Sequence, residues 1–308
     1  MPPPDFMIAG AAKCGTTALY HYLKQHPAIF VPEQKEPHFF GRDILVHDRK
    51  VTTAEAYIAL FAEAGADQLC GEASAVTLYS AMALEELLDW NPDVKCIAMI
   101  RNPVDQFMSF HNQLFQRLDE HHADPETAWR AQAARMRGED MPRFNPYGEF
   151  LQYRDFCALG KQLQRFCDMI PAGQRHIILY DDFAANTQRA FEYTLDFLGV
   201  SLTNYDIDFT PRHTRMQRRS TFIEYLHRAQ PWPIDPLRRV LKPGLNKIGI
   251  SPSRLLRRLN EKPAGSTQIS PEFRRELVKE FTPEIEKLER LTGRDLVHWR
   301  EVEGEHRA

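Results

Sequence analysis

The densest chemistry in this sequence lies in Gly10-Ala11-Ala12-Lys13-Cys14-Gly15-Thr16-Thr17, one lysine among small residues with two threonines behind it. Small side chains let backbone amides come close to a ligand. A helix opening at Thr16 would turn its free N–H groups and positive dipole end toward the same point. Lys13 adds a mobile charge, and the threonine hydroxyls add donors. Such a loop suits phosphate or a close relative of it. It lacks the Gly-Lys-Ser/Thr order of the triphosphate loop, because here the lysine precedes the glycine. Cys14 reads as a small loop-filling residue, although a helix N-terminus can lower the pKa of a thiol.

Three further arrangements carry chemistry. Arg101-Asn102-Pro103 follows an apolar run, and Ser109 lies on the segment after it. An arginine fork binds phosphate bidentately and a serine hydroxyl adds a donor. Taken singly, Arg101 reads equally as a salt bridge at a helix start and Ser109 as a solvated helix residue. Lys35-Glu36-Pro37-His38-Phe39-Phe40 sets a carboxylate and an imidazole beside apolar rings. Partial desolvation would raise the pKa of Glu36 toward a value useful for proton transfer. His38, whose ordinary pKa is nearer neutrality, is the alternative base. The last arrangement is the basic run from Arg212 through Arg218 and Arg219.

Together these motifs resemble those of sulfotransferases that use 3′-phosphoadenosine 5′-phosphosulfate (PAPS), most of all the heparan-sulfate-type and bacterial carbohydrate-type branches. Ala12, Lys13, Cys14, Gly15, Thr16 and Thr17 are similar to the 5′-phosphosulfate loop. Arg101, with Pro103 two residues on and Ser109 six after that, resembles the 3′-phosphate motif. Glu36, two residues before His-Phe-Phe, matches the glutamate that serves as general base in the heparan-sulfate-type branch. The resemblance runs from Phe6 to about Val200. It returns from Pro283 to Trp299 with Leu291-Thr292-Gly293 and the closing tryptophan.

The resemblance implies a single P-loop-like α/β domain over 1–308, a three-layer fold whose central, mostly parallel sheet is flanked by helices. It implies transfer of a sulfuryl group from PAPS to an acceptor hydroxyl or amine, with release of adenosine 3′,5′-bisphosphate. By analogy with phosphoryl transfer, attack is in line and catalysis is mostly positioning and charge stabilisation. Lys13 would neutralise the leaving phosphate and Glu36 would take the acceptor proton. No metal and no nucleic acid is expected. A late basic loop covers the 3′-phosphate in such enzymes, which makes Arg212, Arg218 and Arg219 donor-binding candidates. One departure is Ala73, which stands where some relatives carry a lysine; part of the acceptor or sulfonate contact then falls to another residue, such as Lys35. The acceptor class stays open among sugar, lipid-linked sugar, phenol and small metabolite. Two rivals are a nucleotide kinase, for which Asp181-Asp182 would hold magnesium, and a module that binds anionic glycans or membrane.

The elements that must position these groups follow from periodicity. Residues 6–9, 95–100 and 177–180 are short apolar runs, expected as strands buried on both faces, with shorter strands at 29–31 and 69–74. Residues 16–23 place Ala18, Leu19, Tyr22 and Leu23 on one face of a helix. Further helices are expected at 53–64, 80–90, 104–118, 151–169 and 188–198, the last closed by Gly199. Asn102 suits an N-cap and Pro103 a first helical position. Residues 124–149, broken by prolines and glycine, read as an irregular excursion, and 271–299 as a C-terminal helix packing on the core. Strands alternating with helices mean βαβ units and a parallel sheet. Ligands bind such sheets at the carboxyl ends of the strands, where the Lys13 and Arg101 loops fall.

Composition bounds the rest. No apolar run approaches the roughly 18 residues of a membrane span, and a strand beginning at Phe6 leaves no room for a secretory signal. Five scattered cysteines without metal-ligand spacing suggest free thiols and a cytoplasmic setting. Net charge is −3, yet 212–262 holds thirteen Lys/Arg against three acidic residues. This proline-rich stretch, with no clear strand, reads as a lid or acceptor-side segment. Within it, 237–259 mixes cationic and apolar residues in a way that fits an anionic or lipid-linked acceptor, or peripheral membrane contact. Nothing in the sequence sets the oligomeric state.

Overall fold

A computed structural model describes residues 3–44, 49, 51–148, 150–201, 207–210, 216–218, 261–263 and 269–301. Its centre is β1 (Phe6–Gly10), buried along its whole length. Around it β2 (Ile29–Phe30), β3 (Leu69–Ala73), β4 (Lys95–Ile100) and β5 (Arg175–Leu179) form one sheet in the order β2-β3-β1-β4-β5. Every pairing in that sheet is parallel, and helices flank it, as the apolar runs predict. Parallel neighbours need long crossovers, and the crossover helices bury both faces of the strands.

The chain passes first to one side of β1 and later to the other, so the order reverses at β1. The carboxyl ends of β1 and β4 therefore flank the topological switch point. α1 (Thr16–Leu23) follows β1, α2 (Ala54–Ala59) and α3 (Ala83–Trp90) bracket β3, and α4 (Pro103–Gln116) follows β4. Asn102 caps α4 by accepting from the Val104 amide at 2.9 Å, as its place before Pro103 predicts.

Contacts divide the chain into two compact units. The first comprises Met1–Phe110, Gln152–Pro211 and Ser270–Ala308 and contains the sheet; the second comprises His111–Leu151 and Arg212–Ile269. The stretch 124–149, expected as irregular, contains the short helices α5 (Pro125–Arg130) and α6 (Gln132–Arg135), with Asp124 capping the Thr127 amide at 2.8 Å. The helix expected over 151–169 is two, α7 (Tyr153–Phe156) and α8 (Leu159–Met169). After β5 come α9 (Tyr180–Ala185) and α10 (Thr187–Leu198), the latter closed by Gly199 as expected.

The basic stretch does contain strand, contrary to expectation. β6 (Met216–Arg218) pairs antiparallel with β7 (Glu261–Pro263). Three-residue strands so far apart in sequence carry no periodic signal of their own. Residues 219–260, including the 237–259 segment, lie outside the described residues.

α11 (Pro271–Thr292) lies along α8 and buries Phe273, Leu277, Phe281, Ile285 and Leu288. Gly160 allows that approach, since a Cβ there would meet the Glu284 carbonyl oxygen at 2.5 Å. The helix stops at Gly293 rather than reaching Trp299, which instead sits in a 3-10 turn, Val297–Arg300. No helix among the described residues is long and apolar enough to cross a membrane.

Candidate active site

The loop after β1 is held against β4 and α4. Ala11 donates its amide to the Met99 carbonyl at 2.7 Å, Gln106 donates to the Ala12 carbonyl at 3.1 Å, and Arg101 Nη1 lies 3.5 Å from the Lys13 carbonyl. Gly15 is the N-cap of α1 at φ 97. A Cβ there would come within 3.1 Å of Met99 Cε and 3.2 Å of the Tyr180 ring, so only glycine leaves the loop this shape. Lys13 also lies in the left-handed region, at φ 67. That conformation costs an L-residue roughly 1–2 kcal/mol and is kept where surrounding contacts impose it. Thr16 is buried, while Ala12, Lys13 and Thr17 are half-buried. The amides of Thr16 and Thr17 have no carbonyl within α1 to bond, whereas Ala18 donates to the Gly15 carbonyl at 3.0 Å. Cys14 is fully buried, and that burial pushes its thiol up to about 12 despite the nearby charges of Arg101 and Lys13. It fills the loop, as expected, and is no thiolate.

Arg101 leaves the end of β4 with its guanidinium 4.5 Å from the centre of the Tyr180 ring and 3.7 Å from the Asp105 carboxylate. Arg274 of α11 reaches the same carboxylate at 3.9 Å. Ser109 is half-buried, one turn beyond Asp105 on the same face of α4. Arg101 thus makes the local ion pair that the plain reading of its sequence suggests. Its Nε, however, is buried with no partner among the described residues, and so is Gln106 Oε1. Buried polar atoms are nearly always satisfied. The Arg101 Nε–H, a donor beside a loop in which a Cβ at Gly15 would collide, fits a bound polyanion; Gln106 Oε1, an acceptor, calls for a donor instead. Arg212 and Arg219 lie outside the described residues, and of Arg218 only its strand is described.

The third motif hangs from the end of β3. Glu36 donates its amide to the Ala73 carbonyl at 3.0 Å, and His38 donates its amide to Ser74 Oγ at 3.3 Å. Phe39 stacks on Tyr57 at 4.4 Å between ring centres and meets Trp90 edge-on at 5.5 Å, which anchors the loop to α2 and α3. Arg49 donates to the carbonyls of Phe39, Gly41 and Ile44 at 3.3, 2.7 and 2.9 Å. Glu36 and His38 have φ 59 and 51, so both base candidates, like Lys13, sit in strained backbone. They are brought together: His38 Nε2 is 3.8 Å from Glu36 Oε2. The Glu36 side chain is 40% exposed and ion-paired with Lys35. The partial desolvation expected at Glu36 thus stops well short of burial.

Burial falls instead on Glu72, the penultimate residue of β3. It is 1% exposed. Desolvation pushes its carboxyl up to about 8, against a hydrogen bond from Ser74 and the charge of Lys35, with Glu36 adding a little more. Ser74 Oγ donates to Oε2 at 3.2 Å, and Oε1 is buried without a partner among the described residues. A charged residue type inside the strand Leu69–Ala73, buried from Gly71 onward, was the available signal for this group. Gln106 and Tyr180, also unforeseen as site residues, carried none, because only the fold faces them toward the loop. The linkage of Glu72 is testable. Between its ordinary 4.5 and about 8, the folded protein holds a proton that the unfolded chain has lost, so stability falls as pH rises through that window. Glu72→Gln keeps the shape and removes the titration. Urea unfolding is expected to show a smaller loss of stability for the variant than for wild type between about pH 5 and about pH 9. Equal losses would remove Glu72 as the cause.

The carboxylates a kinase would offer to magnesium are engaged elsewhere. Asp181 accepts from Trp299 Nε1 at 2.6 Å, and Asp182 takes both arms of Arg294 at 2.6 and 2.9 Å.

Residues 3–223 match the profile of the sulfotransferase domain. Mouse carbohydrate sulfotransferase 15 is 30% identical over 34% of this chain and 26% of its own length. Mouse heparan sulfate glucosamine 3-O-sulfotransferase 6 is 31% identical over 36% of this chain and 30% of its own length. The matches thus span about a quarter to a third of those relatives. The crystal structure of a sulfotransferase from Alicyclobacillus acidocaldarius superposes with a TM-score of 0.71 at 25% identity, covering 98% of this chain and all of that one. With the profile matching most of its length, over the β1 and β4 loops described above, the chain belongs to the sulfotransferase family.

Proposed function

We propose that this sulfotransferase takes its sulfuryl group from PAPS and delivers it to a hydroxyl of a carbohydrate-type acceptor, with Glu36 as the general base. The observation that carries the donor reading is the tie between the two anion-binding motifs. Lys13 and Arg101 stand at the carboxyl ends of adjacent strands, 3.5 Å apart from carbonyl to guanidinium, and Arg101 Nε is buried without a partner among the described residues. PAPS supplies the activated sulfuryl group. Lys13 and the first amides of α1 offset the charge that grows on the departing phosphate. Arg101 and Ser109 hold the distal phosphate. Glu36 accepts the acceptor proton, and Lys35 pairs with that carboxylate and orients it. The similarity to a carbohydrate sulfotransferase and to a heparan sulfate glucosamine 3-O-sulfotransferase supports a sugar acceptor.

Sulfate-labelled PAPS offered with a panel of glycosaminoglycan oligosaccharides, phenols and lipid-linked sugars tests the whole reading. Label on a saccharide is the expected result; label on phenols alone would overturn the acceptor. Binding of ATP without binding of adenosine 3′,5′-bisphosphate would overturn the donor. Arg101→Ala is expected to weaken calorimetric affinity for adenosine 3′,5′-bisphosphate by about 10- to 100-fold, the scale of one charged hydrogen bond. Unchanged affinity would take Arg101 out of the donor site.

A further inference from the structure

The second compact unit holds a cluster that sulfuryl transfer does not use. Its anchor is a fully buried ion pair, with Arg135 Nη1 and Nη2 each 2.7 Å from an oxygen of Glu120. Glu120 Oε1 also accepts the backbone amides of His121 and His122, at 2.8 and 2.9 Å. The His111 ring holds the His122 carbonyl at 3.0 Å. The same Arg135 donates through Nε to the Asp140 carbonyl at 3.3 Å. One guanidinium therefore fixes the backbone of two histidines and of an aspartate 18 residues beyond the second. Asp140 is held in the left-handed region at φ 50, and its carboxylate faces both rings. Oδ1 is 2.9 Å from His121 Nε2 and Oδ2 is 2.7 Å from His122 Nε2. The ring centres are 4.1 Å apart. The three side chains are 40%, 24% and 34% exposed.

We propose that His121, His122 and Asp140 bind a divalent transition-metal ion of the zinc class. Two imidazole nitrogens and one carboxylate oxygen form a three-ligand zinc set that leaves a fourth position to water. Imidazole pairs also disfavour the hard cations magnesium and calcium. Both ring nitrogens now meet one carboxylate through hydrogen bonds. On metal binding each would turn a lone pair to the ion, with its proton carried on Nδ1. Glu120 is a support and not a ligand. An oxygen of it lies within 4.8 Å of a nitrogen of each ring, but Arg135 and two backbone amides already occupy that carboxylate. Such a buried partner orients the ligands and sharpens affinity. The ion would tie the turn at 120–122 to residue 140, and so stabilise this unit.

The full-length protein, stripped with chelator, is titrated with zinc chloride in a calorimeter beside Asp140→Asn and His122→Ala. Asparagine tolerates left-handed backbone, so Asp140→Asn tests the ligand without disturbing the turn, and circular dichroism checks its fold. One equivalent of zinc is expected on the wild type. Each variant is expected to bind at least about tenfold more weakly, and cobalt is expected to give visible d–d bands that Asp140→Asn lacks. No zinc uptake by the wild type would overturn the site and leave a carboxylate shared by two imidazoles. Equal uptake by the variants, or binding of magnesium in preference to zinc, would overturn it as well.

Discussion

Lys13→Ala is expected to lower turnover by about 10²–10³ at saturating donor, the scale of losing one donor aimed at developing charge. The substitution is a clean probe because of its backbone. Lys13 sits at φ 67, and alanine carries the same Cβ into the same left-handed conformation, so the strain is unchanged while the charge is lost. The loop keeps its other ties, from Ala11 to Met99 and from Gln106 to Ala12. Thermal unfolding near the wild-type temperature together with the fall in single-turnover rate is the expected pattern. A folded variant that turns over at nearly the wild-type rate would exclude Lys13 from charge stabilisation.

Glu36→Gln is expected to cost about 10²–10⁴ in turnover, as loss of a general base does, with affinity for adenosine 3′,5′-bisphosphate retained. Fold damage is a weak rival explanation. The pair with Lys35 is 40% exposed on the glutamate side, and ion pairs this open contribute about 0–1 kcal/mol. His38 needs its own test because its ring stands 3.8 Å from the same carboxylate. His38→Ala is expected to lower turnover less than Glu36→Gln, since it removes a neighbour of the base. Were His38→Ala to abolish turnover with donor affinity intact while Glu36→Gln did not, the base would be His38.

Local chemistry was legible where one segment decides its own shape. The apolar run before Lys13, the glycine that must adopt φ 97, and the Asn102-Pro103 start of α4 are each decided within a few residues. The stop of α11 is local too, since Gly293 takes φ 66 and closes it. The break at 157–158 and the β6–β7 pairing were not legible in this way, the latter because two three-residue strands meet across the basic stretch.

The sequence by itself determined the parallel α/β fold, the loop chemistry at Lys13 and Arg101, and the candidate pair Glu36 and His38. Each of these is written in residue type and short spacing. Tertiary structure alone decided which carboxylate is sealed from water and which arginine is stacked. Glu36 and Glu72 are the same residue type, yet one is 40% exposed against Lys35 and the other is sealed in β3 and raised to about 8. Desolvation and through-space charge depend on neighbours from other elements, such as Tyr180 over Arg101 and Ser74 beside Glu72. Those neighbours exist only once the strands have paired.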